Sequence, residues 1–193
     1  MRNAKLYEMM KEGWKVDEVR KELDLLPSDL RALVMVFKRM GIGVHRSNGK
    51  FIIRELPKQE VILRTPVDLV MATVQATKIL RFIYGENVTL VWPNAVALGK
   101  DVIAKVEGPS LRVKGLDKYL EGAIIKQTRD SLRRKKLGET MRIANVMLYK
   151  DQYKFFLKNG EAVKARVELV NLSGRARTSI GELRVEDVNG IEL

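Results

Sequence analysis

The chain has no cysteine and a single histidine, His45, among its 193 residues. A disulfide framework, a thiol nucleophile, a zinc-thiolate site and an iron-sulfur cluster are therefore excluded, and a histidine-built metal site or a Ser-His-Asp triad has too few imidazoles to draw on. No apolar run approaches the roughly 20 residues that span a bilayer. The N-terminal MRNAKLYEMMKEG is amphipathic and carries acidic residues, unlike a signal or transit peptide. Internal repeats and low-complexity tracts are also missing. The expectation is a soluble, cytoplasmic protein with no metal and no cofactor.

Positive charge is what the chain has in excess, with a net charge of +12 from 36 basic and 24 acidic residues. Its 46% hydrophobic content suffices for a real core, and its length suits two or three small modules. Basic and acidic residues number 12 and 8 over 1–57, 15 and 8 over 58–137, and 9 and 8 over 138–193, so the excess is +4, +7 and +1. Such a balance favours a polyanionic partner, nucleic acid being the commonest; the alternative is a basic chain whose charges are simply well solvated.

Over residues 1–57 the apolar spacing predicts three short helices and a hairpin. Leu6, Met9 and Met10 share a helical face that Gly13 ends, and Val16, Val19 and Leu23 share another. A third helix opens with Ser28 as N-cap after Pro27 and stops at Gly41, with Leu30, Leu33, Val34, Phe37 and Met40 as its inward stripe. GVHRSNGKFIIREL then alternates about Asn48-Gly49, the strongest short hairpin signal. This is the order of a winged helix-turn-helix, whose third helix can enter a major groove while the hairpin sets a basic tip against the backbone.

The expected partner is double-stranded DNA. Candidate contacts are Ser28, Arg31, Lys38 and Arg39 on the third helix and His45, Arg46 and Lys50 on the hairpin. Winged helices also serve in protein interaction, and the outward Ala32, Met35 and Val36 cannot hydrogen-bond a base edge. A helix that reads so few bases is expected to work as a homodimer on a two-fold site, joined through exposed strand edges in the middle of the chain or through its C-terminal β-module.

Pro57 and Pro66 punctuate a strand-like connector, LPKQEVILRTP, that marks a boundary. PVDLVMATVQATKILRFIYG reads as a buried helix ended by Gly85. NVTLVW follows as a core strand, with a turn at Pro93-Asn94, KDVIAKVEG as its hairpin partner and LRVKGL as a third strand. KYLEGAIIKQTRDSLRRKK is helical, with Leu120, Ile124 and Leu132 inward; its basic end, Arg133 to Lys136, complements the helix C-terminus or approaches phosphates. From 138 onward ETMRIANVMLY, QYKFFLKNGEAV, ARVELVNLSGRARTSIGEL and VEDVNGIEL read as short strands, with turns at Asn159-Gly160, Ser173-Gly174 and Asn189-Gly190, closing into a small barrel.

The order helix, strand ending in Trp92-Pro93-Asn94, turn and GKDVIAKV is similar to the central part of the biotin protein ligases, whose pattern is KWPND followed by a glycine-lysine strand. The stretch from LYEMMKEG to IIRELP resembles the DNA-binding domain of the bifunctional ligases that double as biotin operon repressors. SLRRKKLGETMRI resembles the approach to the SH3-like barrel that closes such ligases. The resemblance covers most of the chain in order. It implies an α+β fold with a winged helix-turn-helix over 1–57, a reduced ligase-like α/β core over 58–137 and an SH3-like β-module over 138–193.

The chain departs from the family where the family's chemistry resides. The GRGRxGR loop that holds biotinyl-adenylate has no counterpart between the hairpin and Trp92, because only the connector at 56–66 occupies that interval. The family's lysine and aspartate around WPN fall on Val91 and Ala95, and its catalytic lysine falls on Asp101, or on Lys100 if the register slips by one. A similar string, SGRART around Gly174 to Thr178, comes too late in the chain and reads as a hairpin turn with exposed basic residues.

A shortened, catalytically degenerate member is expected, acting as a DNA-binding transcriptional regulator and not as an enzyme. Trp92, Asn94 and Lys100 are either packing elements of a strand end or a remnant ligand pocket, and whether any effector binds stays open. The alternatives are a divergent ligase, or ligase subunit, that keeps small-molecule binding, and a winged-helix protein-interaction module.

Overall fold

A computed structural model describes residues 1–193. Helices α1 (Arg2–Lys11), α2 (Val16–Glu22) and α3 (Pro27–Arg39) precede a hairpin of β1 (Gly43–Ser47) and β2 (Lys50–Arg54), so the helix-helix-helix-hairpin order is present. Leu30, Val34 and Phe37 are buried along α3, as its periodicity predicts. Ser47 pairs with Lys50, and Asn48 and Gly49 turn the chain at φ of 50° and 73°, a two-residue turn that Asn-Gly suits. Ser28 is not the cap. Pro27 takes the first helical turn, where its missing N–H leaves nothing unpaired, so Leu26 holds the cap position and Ser28 lies inside the helix with no capping bond.

The long helix α4 (Pro66–Tyr84) opens with a capping box. Thr65 Oγ1 accepts the Asp68 N–H at 3.3 Å, and the Asp68 carboxylate accepts the Thr65 N–H at 3.1 Å. It packs on an antiparallel sheet ordered β3 (Val88–Val91), β4 (Ala95–Leu98), β5 (Asp101–Glu107) and β6 (Arg112–Lys114). The expected direct pairing of NVTLVW with KDVIAKVEG is replaced by one through β4. That strand is covered on both faces, Ala95 and Ala97 entering one core and Val96 the other, so it shows no apolar-polar alternation to betray it. The connector runs beside residues 109–111, Leu63 N–H donating to Pro109 O at 2.7 Å and Leu111 N–H to Val61 O at 2.8 Å.

Helix α5 (Lys118–Arg134) is followed by α6 (Leu137–Val146), which corrects the expectation of a strand at ETMRIANVMLY. Thr140, Met141 and Ala144 are buried on one side of α6, a helical and not a two-residue spacing. Residues 147–149 then run along β3, Leu90 N–H donating to Met147 O at 2.7 Å and Tyr149 N–H to Leu90 O at 2.8 Å. The outer edge of β3 is thus occupied.

The rest of the chain forms two three-stranded antiparallel sheets. One is β12-β7-β8, from β7 (Tyr153–Leu157), β8 (Ala162–Ala165) and β12 (Val188–Glu192). The other is β11-β10-β9, from β9 (Val167–Val170), β10 (Ala176–Thr178) and β11 (Gly181–Leu183). Neither closes, so the expected barrel is a pair of open sheets. Gly190 is not in a turn either: it lies within β12 opposite Phe156, at a shift of register. No helix is long and apolar enough to cross a membrane.

Two hydrophobic cores share α4 as a common wall. Ala72, Ala76, Ile79, Leu80 and Ile83 belong to the larger core, with Leu6, Met10, Phe37, Val96 and Ile124; Val70, Met71 and Val74 belong to the smaller one, with Trp92, Tyr153 and Phe155. The larger core continues across the Pro57 boundary without a break. The Phe37 ring meets Phe82 edge-on at 5.2 Å, joining α3 to α4.

A polar joint reinforces the same junction. Tyr7 Oη donates to both carboxylate oxygens of Asp117, at 2.9 and 2.8 Å, and Lys11 Nζ lies 3.1 Å away. Asp117 also caps α5, accepting the N–H groups of Tyr119 and Leu120 at 3.0 Å. Burial works against the carboxylate, but the Leu120 N–H, Tyr7 and Lys11 outweigh it and hold its pKa below the ordinary aspartate value. Burial first, and then the neighbouring Asp117, push the Tyr7 hydroxyl far upward, so it remains a donor.

Candidate nucleic-acid interface and the Trp92 motif

The outer face of α3 is open. Helical spacing brings Ser28, Arg31, Ala32, Met35 and Arg39 to one side, where they line a shallow concavity of about 780 Å³. Lys38 is exposed at the same helix end but lies outside that concavity. His45, Arg46 and Lys50 are all exposed on the hairpin, where the Arg46 guanidinium sits 5.5 Å from the centre of the buried Phe51 ring.

None of Arg31, Lys38, Arg39, Arg46 and Lys50 lies within ion-pairing distance of a carboxylate. Their charge is therefore uncompensated. The hairpin that carries part of it is anchored, Val16 N–H donating to Gly49 O at 2.8 Å and Phe51 N–H to Trp14 O at 2.9 Å. Such a surface can meet a polyanion. Within that concavity Ser28, Arg31 and Arg39 can form hydrogen bonds to a base edge, whereas Ala32 and Met35 offer apolar contact alone.

Lys126 escaped the sequence reading. A Cβ added at Gly41 would lie 3.2 Å from Lys126 Cδ, which places that lysine's stem beside the end of α3, and Gln127 Nε2 donates to Arg39 O at 2.8 Å. Nothing local in the sequence signals it, because long-range packing alone brings α5 there.

The Trp92 motif is interior. Trp92 is fully buried, its indole Nε1 donates to Gly174 O at 2.8 Å, and its carbonyl accepts the Tyr153 hydroxyl at 2.8 Å. Burial pushes the Tyr153 pKa well up, which keeps that hydroxyl protonated. Asn94 Nδ2 donates to Val106 O at 2.9 Å and so ties the turn to β5. Lys100 is exposed in the turn after β4, at the opposite end of that strand from Asn94. Trp92 and Asn94 thus sit just before β4, and Lys100 lies beyond its far end.

Val91 and Ala95 are wholly buried and Asp101 is exposed. Gly174, with φ of 78°, has no room for a side chain beyond the 3.2 Å to Val67 Cα, so the SGRART string is a packing joint beneath Trp92. Its arginines are engaged, Arg175 with Glu182 at 3.0 Å and Arg177 with Glu168 at 3.7 Å. No group of three or more Asp, Glu or His side chains is placed to hold a metal ion.

No family model matches the sequence, and no curated protein does. Among solved structures the chain is similar to the biotin protein ligase of Aquifex aeolicus. The apo form matches at 14% identity, over 66% of this chain and 73% of that one, with a TM-score of 0.45. A second crystal structure of that ligase matches at 12% identity over 67% and 75%, with a TM-score of 0.49. Its complex with biotin and ATP matches at 13% over 63% and 69%, with a TM-score of 0.43. The likeness is partial and of low identity.

Proposed function

We propose that the chain is a DNA-binding transcriptional regulator, built on a ligase-like scaffold that does not adenylate biotin. The observation that carries this reading is the set of five unpaired cations, Arg31, Lys38, Arg39, Arg46 and Lys50, on the open face of α3 and on its hairpin. Residues 1–57 act as a winged helix-turn-helix, with α3 as the recognition helix and the β1–β2 hairpin as the wing. The apolar Ala32, Met35 and Val36 limit what one α3 can read, which favours a homodimer on a two-fold site. Against adenylation stands the absence of charge where pyrophosphate would need it: Val91 and Ala95 are buried and apolar, and stabilising developing charge is usually the largest catalytic contribution.

Fluorescence anisotropy with a random-sequence duplex, repeated over a range of salt, tests the DNA reading. Replacing Arg31, Arg46 and Lys50 together with alanine is expected to weaken all sequences alike and to reduce the salt slope by about 0.9 for each phosphate no longer neutralised. A triple variant with wild-type affinity and slope sinks the assignment. Incubation with biotin and ATP is expected to release no pyrophosphate above a protein-free control; biotin-dependent release would overturn the non-adenylating reading.

A further inference from the structure

A second opening, of about 740 Å³, lies between the connector, the start of α4 and the end of α5, and the DNA reading gives it no role. Its volume is in the range of small-molecule sites. Four cations line it: Arg64 from the connector, Arg129 and Arg133 from α5, and Lys135 just beyond. Arg64, Arg133 and Lys135 have no ion-pair partner, and Arg129 has only its chain neighbour Asp130 at 3.6 Å.

Two carboxylates share the lining, and neither is ion-paired with those cations, so four positive and two negative charges leave the cleft a net +2. Asp68 is committed to the cap of α4, accepting the Arg64 and Thr65 N–H groups at 2.8 and 3.1 Å. Glu60 is exposed and meets only the Ser110 hydroxyl, at 3.5 Å. Beneath the cations the floor is apolar, from Val67 and Met71 of α4 and Leu132 and Leu137, and Ile62 at the lip is 45% exposed.

The two features demand one occupant. An inorganic anion would satisfy the cations and leave the floor wet. A neutral hydrocarbon would cover the floor and strip water from unpaired cations, which is costly. Only a molecule with both parts gains from both. We propose that this cleft binds a small organic anion with an apolar body, its acidic head among Arg129, Arg133 and Lys135 and its hydrocarbon over Met71 and Leu132. None of Trp92, Asn94 and Lys100 lines the cleft, so the site is separate from the ligase-like motif.

The test uses the full chain and a fluorescent probe of the same chemistry, anilinonaphthalene sulfonate, displaced by decanoate, decanol, decylamine or inorganic phosphate. Decanoate is expected to displace it, and the other three are not. The exposed pair Arg133→Glu and Lys135→Glu, with folding checked by its melting curve, is expected to weaken decanoate about tenfold. Arg64→Glu, on the opposite wall, is a second variant expected to act in the same direction.

Equal displacement by decanol would reduce the site to an apolar patch, and equal displacement by phosphate to a bare cation cluster; either overturns the proposal. So does unchanged decanoate binding in both variants, or co-sedimentation with anionic vesicles in place of binding to free decanoate. Duplex affinity of the Arg133→Glu, Lys135→Glu protein is measured alongside. If it falls while decanoate binding holds, these cations serve nucleic acid and the proposal fails, whatever becomes of α3.

Discussion

Trp92→Ala is expected to cost about 4 kcal/mol or more of folding stability. The side chain is fully buried between the sheet and the C-terminal strands, its ring centre 6.0 Å from that of Phe155, so truncation opens a large cavity that the surrounding elements can only partly close. It also strips the Gly174 carbonyl of its partner, a loss of about 1–3 kcal/mol when nothing replaces it. Trp92→Phe separates the two effects, since it keeps most of the packing and loses only the indole N–H; a cost of about 1–2 kcal/mol is expected. Urea denaturation reads both as shifts of midpoint at constant slope. If Trp92 served an open ligand pocket instead, alanine would be tolerated to within about 1 kcal/mol, and that outcome would contradict the packing described here.

Asp117→Ala is expected to cost about 2–4 kcal/mol, combining the loss of an N-cap with a buried Tyr7 hydroxyl left without its acceptor. The pH dependence follows from the direction of the shift. A carboxyl whose folded pKa is depressed contributes stability that is fully present above its unfolded value, about 3.9, and is lost as pH falls through the folded value. Wild-type stability should therefore decline on acidification below about pH 4, and Asp117→Asn should flatten part of that decline. Urea midpoints taken at a series of acidic pH values check this. Parallel profiles for the two proteins would show that the carboxylate is not a source of acid sensitivity.

Local chemistry was legible wherever it was self-contained. The Asn48-Gly49 turn, the inward stripe of α3 and the nineteen residues of α4 follow from patterns within one element. Strand β4 was not legible, because covering both faces removes the alternation by which a strand is recognised. In α6 the run Met141, Ile143, Asn145 and Met147 permits a two-residue reading. Packing decided for the helix, with Thr140, Met141 and Ala144 buried together. The strands β7 to β12 fall within segments read as strands, but whether sheets close depends on pairings between distant segments, and here they stay open.

The candidate site divides along the same line. Exposed arginines and lysines on a periodic helix and around a short turn can be named from spacing alone, and the structure leaves them unpaired. The Trp92 to Gly174 bond, the placement of Lys126 beside Gly41 and the cleft between the connector and α5 all join residues far apart in the chain. They have no local signature.

The double duty of α4 bears on how this chain could be rearranged. A segment ending at Pro57 looks like a cassette, but lifting it out would leave Leu6, Met10 and Phe37 without the Ala76, Leu80 and Ile83 that cover them. Carrying α4 along repairs that face and bares Val70, Met71 and Val74 on the other, which need the strands bearing Tyr153 and Phe155. Each graft thus drags in the next segment, and the smallest part that could be transplanted with its interior closed is nearly the entire chain.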